Sequence, residues 1–306
     1  MFAYILRRCG HAVVVVFGVS LVVFLLSRLA PGDPVTLMLA ETASPQQIEE
    51  ARRHYGLDRP LPAQYALFLG NAVRGDMGES LYYKQPALRV VLEAFPQTAL
   101  LAVTALLLAI VVALPLGVLA AVRRDTFWDY FAVGLAVLGQ AAPAYWVGIM
   151  LILVFSVTLG VLPTSGNATP QALILPAVTL GAALMAVLTR LTRAGMLDVL
   201  NEDYIRTARA KGLRERATIM RHGLRNVLIP LVTVVGLQLG GLLGGAVIIE
   251  QVFSWPGVGR LAVTAITSRD YPIIQAAVLL VSCVFVVVNL LVDIGYAFLD
   301  PRIRYS

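Results

Sequence analysis

Long apolar runs alternate with short charged interruptions along nearly the whole chain, and the runs have the length of a bilayer-crossing helix, about 20 residues. The first covers residues 10–29, behind a basic flank at residues 4–8. The second covers 98–122 and stops at Arg123 and Arg124, with Pro115 and Gly117 placed to kink it. The third, from about 128 to 159, is too long for one straight crossing and holds Pro143 beside Gln140, so a tilted or broken helix is expected. After a short polar loop at 160–170 come a fourth run at 173–191, a fifth at about 228–249 and a sixth at 273–298. The pattern predicts an all-α polytopic membrane protein with six transmembrane helices. No small-residue cleavage motif follows the first run, only PGDP at 31–34, so it reads as a retained span rather than a signal peptide.

Two polar stretches lie between runs on one side. Residues 31–96 carry nearly balanced charge, as an external loop does, and Pro45 in SPQQ at 44–47 followed by Gly56 marks one helix start and stop. This predicts a small external helical subdomain, with His54 a surface residue because no second metal ligand accompanies it. Residues 250–272 hold FSWPG at 253–257, an aromatic, turn-rich segment suited to the headgroup level, and read as an amphipathic lid. The organisation expected is a first span over 1–30, an external subdomain over 31–96 and a core membrane domain over 97–306.

Charge fixes the expected orientation. Fifteen of the 24 lysines and arginines fall on the side of residues 7, 123, 190, 201–230 and 302, so that side is expected to be cytoplasmic, with both termini on it. Composition agrees with a bilayer: 58% hydrophobic and 14% charged residues, at a mean hydropathy of +0.80, leave too few charges to coat a soluble globule. The net charge of +6 sits in loops without interleaved aromatics, which excludes the pattern of a nucleic-acid binder. Cys9 and Cys283 lie in or beside apolar runs and read as packing residues rather than a disulfide.

The candidate chemistry concentrates in residues 201–230, where seven arginines and lysines face three acidic residues between two apolar runs. Asn201 is placed to cap a short amphipathic helix in which Arg206 and Arg209 share one face, and Tyr204, Ile205 and Ala208 the adjacent one. Gly212 is placed to end it. In the fifth run, Gly236, Gly240 and Gly244 recur one turn apart, with Gly241 and Gly245 beside them, a spacing that lets helices approach closely; Gln238 is the polar group there suited to face a cavity. Asn289 and Asp293 share a helical face in the sixth run. Gln140, Pro143, Gln238, Asn289 and Asp293 are therefore the candidates for lining a path. No HExxH, GxSxG or GxxxxGK[ST] motif occurs, so catalysis and cofactor chemistry are not expected, and any ATP-driven work must come from another polypeptide.

RTARAKG at 206–212 followed by RNVLIP at 225–230 resembles the EAA loop of importer permeases of the ABC transporter superfamily, in the version of the peptide, glutathione and nickel branch. APGDP at 30–34, YGLDRPLPAQY at 55–65, RGDMGES at 74–80, VFSWPGVGRL at 252–261, RDYP at 269–272 and DPRIRY at 300–305 are similar to the same branch, in the same order. The chain departs from the general pattern in having Arg206 where an acidic residue is usual and Thr207 where an alanine is usual. The resemblance implies a type I importer permease fold in a bacterial inner membrane. It also implies that Tyr204, Ile205, Arg206, Thr207, Ala208, Arg209, Ala210, Lys211, Gly212 and Leu213 dock on an ATPase; the face of Tyr204, Ile205 and Ala208 is then expected to fill a groove on it, with Arg206 and Arg209 pairing with carboxylates at the rim. The implied partners are a second related permease, one or two P-loop ATPases and an extracytoplasmic solute-binding protein. The implied substrate is a di- or oligopeptide, with glutathione suggested by HGLRN at 222–226 and the RIRY ending, and a nickel chelate less well matched. The alternative is an ion-coupled secondary transporter or channel, which would show repeated halves and mid-membrane charges.

Overall fold

The computed structural model describes residues 2–29, 46, 58–80 and 82–299. Apart from an isolated β-bridge between Glu79 and Pro86, the regular structure among these residues is helical. The helices are α1 (Phe2–Leu29), α2 (Leu61–Val73), α3 (Ala87–Val122), α4 (Phe127–Ala141), α5 (Ala144–Leu151), α6 (Ile174–Leu200), α7 (Asp203–Ala210), α8 (Arg225–Val252), α9 (Val258–Thr267) and α10 (Tyr271–Leu299). Two π-helical segments, Ile152–Thr158 and Thr218–Leu224, extend α5 and lead into α8. Ser44, Pro45 and Gln47 of the predicted start, His54, Gly56 and the tail arginines 302 and 304 lie outside the described residues.

Five helices are long and apolar enough to span a membrane, and α4 with α5 and its π extension form a sixth, broken one, bent by 113°. The break falls where Pro143 was expected to put it: Pro143 takes φ −59° and ψ 134°, cannot donate to the α4 ladder, and starts α5. The second span begins at Ala87 rather than residue 98, and it stays helical through Pro96, Pro115 and Gly117.

The chain divides into two compact units. The first comprises residues 1–97 and 256–290. Its core joins Ala87 and Val91 of α3 to Val258, Leu261 and Ala265 of α9 and to Ile273, Ala276 and Ala277 of α10. Elsewhere in it, Phe24 of α1 is buried against Tyr65 and Phe68 of α2, and Ser20 hydrogen-bonds the Tyr65 hydroxyl at 2.8 Å.

The second unit, residues 98–255 and 291–306, is organised around α6. Small residues of α3 recur every fourth position at Ala105, Ala109, Ala113 and Gly117, forming a flat ridge. A Cβ on Gly181 would lie 2.8 Å from the Ala105 carbonyl oxygen, and one on Gly117 would lie 2.7 Å from the Thr189 carbonyl oxygen and 2.5 Å from Thr192 Cβ. Backbone therefore meets backbone at both ends of the contact. Gly117 serves this approach. Because the contact runs from Ala105 with Gly181 to Gly117 with Thr192, α3 and α6 are parallel. Two parallel spans need an odd number of crossings between them, so the bent pair α4 and α5 counts as one crossing, which makes six spans among the described residues.

The glycine run of α8 behaves differently from the expectation of uniform close packing. Gly236 and Gly240 are buried and Gly245 touches Leu180 at 3.4 Å, but Gly241 and Gly244 are exposed with nothing within 4 Å. A helix has more than one face, and a run of glycines at spacings of both three and four wraps around it. Gly117→Val is expected to lower stability by about 1–3 kcal/mol, the usual range for overpacking, while Gly134→Val on α4, where a Cβ meets nothing, stays near wild type. Thermal unfolding of detergent-solubilised protein checks both.

Candidate functional site

The basic segment folds as a helix, a glycine stop and a π turn. Its helix α7 has Glu202 at the N-cap position, not Asn201: Asn201 caps the end of α6, where its side-chain amide donates to the Leu197 carbonyl at 2.9 Å. At the other end Gly212 has φ +76°, donates to Arg209 O at 2.9 Å, and is followed by a Leu213 N–H to Ala208 O bond of 3.3 Å. These are the two bonds of a Schellman stop, and the left-handed residue they require is the glycine expected there.

One expectation is overturned. Ile205 and Ala208 are 0% and 7% exposed, because α7 packs its apolar face on the π segment Thr218–Leu224 of its own chain. They are not presented to a partner. Amphipathicity identified the buried face correctly but assigned it to the wrong protein, since a short helix lying on a membrane domain needs that face to anchor itself. The exposed surface is Tyr204, Arg206, Thr207, Arg209, Ala210, Lys211 and Leu213, with Tyr204 and Leu213 about half open. Tyr204 is fixed by the Asn226 side-chain amide, which donates to its hydroxyl at 2.7 Å and so ties α7 to the first turn of α8.

The two arginines that were expected at the rim are held within the segment. Arg206 reaches Asp203 at 3.3 Å, and Arg209 grips Glu215 with both guanidinium bonds, at 2.7 and 3.1 Å. The hydrogen bond from Arg209 holds the Glu215 carboxyl below the usual carboxylate range. Both pairs are solvent-exposed and worth little in net stability, so they orient the cations without preventing them from changing partner.

Gln140, Pro143 and Gln238 are exposed, whereas Asn289 and Asp293 are half-buried on α10, Asn289 donating to the Phe285 carbonyl at 2.9 Å. A groove of about 720 Å³ in the second unit is lined by Val111, Leu114 and Val118 of α3 with Ile219, Met220 and Leu224 of the π segment, and it includes none of the five. The two rings of the FSWPG segment are packed inside the protein rather than presented on a lid: Phe253 and Trp255 are 1% and 2% exposed in the core of the second unit, and the Phe253 carbonyl accepts the Gly166 N–H at 2.9 Å.

Three buried polar pairings were missed. Arg193 donates from Nε and Nη2 to the two carboxylate oxygens of Asp129, at 2.5 and 2.7 Å, joining α6 to α4. Thr98 donates to the fully buried Glu250 at 2.6 Å. Ser80 donates to buried Asp270 at 2.5 Å. Their sequence separations are 64, 152 and 190 residues, and periodicity carries no signal at that range.

Comparison with known proteins places this architecture. Residues 113–305 match the family described as binding-protein-dependent transport system inner membrane component, and residues 1–102 match the N-terminal family of such membrane components. The glutathione transport system permease protein GsiC of Escherichia coli (strain K12) is 46% identical over 306 residues, covering all of both chains, and its counterpart in Shigella boydii serotype 4 is 45% identical over the same span. Among solved structures, the inward-facing MetNI methionine ABC transporter aligns with a TM-score of 0.53 at 16% identity, covering 69% of this chain and 94% of that one. An amino acid ABC transporter crystallised with histidines gives 0.52 at 15%, covering 70% and 94%. The chain belongs to the binding-protein-dependent transport system inner membrane components, and it is a multi-pass permease subunit of an ABC importer.

Proposed function

We propose that this permease carries small peptides, glutathione foremost, inward as half of a path shared with a second related permease. The observation that supports the substrate class is the 46% identity over the whole chain to permeases named for glutathione. One or two separate P-loop ATPases supply the energy, and a solute-binding protein delivers the peptide on the outer face. ATPase closure acts on the exposed surface of α7 and Leu213 and alternates the spans between inward-open and outward-open arrangements. Uptake of labelled glutathione by vesicles holding the complete assembly and its binding protein tests the substrate; transport of an ion-coupled solute without ATP would overturn the reading.

Docking has its own test. Arg206→Glu with Lys211→Glu reverses two exposed charges and leaves the α7 anchor intact. The variant is expected to insert at wild-type level while losing affinity for the ATPases about tenfold or more, read by co-purification. Wild-type retention would move the docking site elsewhere.

Orientation follows from the charge asymmetry, with both termini cytoplasmic. A reporter active only outside the cytoplasm is expected to be active when fused at Ser80 and silent at Arg214. The reverse pattern would invert the topology.

A further inference from the structure

The turn at residues 80–86 in the first unit is built on a buried carboxylate. Asp270, 1% exposed, receives the Ile273 N–H at 3.3 Å with one oxygen, which caps α10. Its other oxygen receives the Ser80 hydroxyl at 2.5 Å and the Tyr82 N–H at 3.2 Å. Ser80 Oγ in turn accepts the Tyr83 N–H at 2.9 Å, and Lys84, at φ 53°, closes the turn back to the Ser80 carbonyl. What this clamp displays is a pair of aromatic rings. Tyr82 and Tyr83 are 68% and 39% exposed and stand edge to face with centroids 5.0 Å apart.

The two rings line a cavity of about 400 Å³ together with Glu93 of α3, Arg260 of α9, and apolar surface from Pro256 and Leu261. That volume is within the roughly 300–1,000 Å³ of small-ligand pockets. The lining joins an anion and a cation drawn from two different helices to two phenols that hydrogen-bond and stack at low entropic cost. Glu93 also meets Arg89 at 2.9 Å, but that pair is solvent-exposed on both sides and a ligand ammonium can take the place of Arg89 at little cost.

We infer that this cavity is a reception site for a small zwitterionic peptide, with Glu93 receiving its ammonium group, Arg260 its carboxylate and the two tyrosines its backbone. Arginine suits the carboxylate because its planar fork matches two oxygens at once. A loop of a protein partner inserted here would bring neither terminal charge, so the mixed-sign lining favours the free peptide. The inference rests on the reading of the chain as a peptide importer whose residues 58–97 and 256–272 face outward.

The test uses the complete permease and ATPase assembly in lipid nanodiscs, without binding protein, titrated with radiolabelled glutathione by equilibrium dialysis. Wild type is expected to bind saturably. Glu93→Gln, an isosteric change, and Arg260→Gln, which removes the guanidinium, both at exposed positions, are each expected to weaken binding about tenfold or more, the loss of one charge-assisted hydrogen bond. Arg269→Gln, an exposed cation of the same unit outside the cavity, is expected to bind as wild type. Saturable binding that is unchanged in Glu93→Gln and Arg260→Gln, or no saturable binding by wild type, overturns the inference. So does loss of binding-protein capture in those variants with glutathione binding intact, which would assign the cavity to a loop of that protein. Uptake by wild type in the full system separates the two levels: import of glutathione with any of these overturning results removes the site and leaves the importer reading standing, while absence of any peptide import removes the importer reading itself.

Discussion

Arg193→Ala is expected to destabilise the second unit by about 3–5 kcal/mol, the range for removing one partner of a buried ion pair. The Asp129 side chain is 3% accessible and the Arg193 side chain 26%, and both guanidinium bonds are short. Without arginine the carboxylate keeps only the Asp125 N–H at 3.1 Å. Leaving a charge in that setting costs more than the pair itself contributes, so Asp129→Leu combined with Arg193→Met is expected to recover most of the loss. Arg193→Lys is expected to recover only part, because an ammonium cannot make the forked contact. Thermal unfolding of solubilised protein and protease resistance of the inserted protein both read this. An Arg193→Ala variant within 1 kcal/mol of wild type would mean that water reaches Asp129 in the inserted state.

The second large effect is expected from Ala208→Asp. If Ala208 lay in a groove on a partner ATPase, the substitution would leave the permease intact and release the partner. Ala208 is instead 7% exposed beside fully buried Ile205, so a carboxylate there enters the packed contact between α7 and the π segment of the permease itself. The expected cost is several kcal/mol, enough to detach α7 or to keep the side chain protonated. The expected result is loss of folded permease, seen as increased proteolysis between residues 200 and 225 even when no ATPase is present. Wild-type protease resistance together with lost ATPase retention would restore the original assignment. Arg206→Glu with Lys211→Glu provides the contrasting case, since that surface is open.

The spans were legible because a bilayer imposes a long, simple pattern: about 20 apolar residues, a basic stop, and a proline where a helix breaks. Pro143 and Gly212 were legible because each is a backbone constraint that acts locally. The close contact of α3 with α6 carried only a faint signal, small residues at 105, 109, 113 and 117, because alanines in an apolar run do not stand out as the glycines of α8 do. Ion pairing of Asp129 with Arg193 carried none, because both residues resemble ordinary flanks of apolar runs. The face of α7 shows the remaining limit. A helical stripe says which side chains leave water, and only the fold says against what.

The anchoring of α7 also has a mechanical meaning. On the proposed reading of α7 as the element an ATPase acts on, a helix hung on flexible tails would absorb a push by swinging. Here the helix is seated by Ile205 and Ala208 on the π segment, latched by Tyr204 to Asn226, and the π segment continues without a break into α8. Close-packed side chains are stiff. The assembly therefore behaves as a rivet through the end of a beam: a load applied to the exposed arginines is delivered to the foot of α8 with little slack, and the helix cannot tilt without taking that end of the span with it.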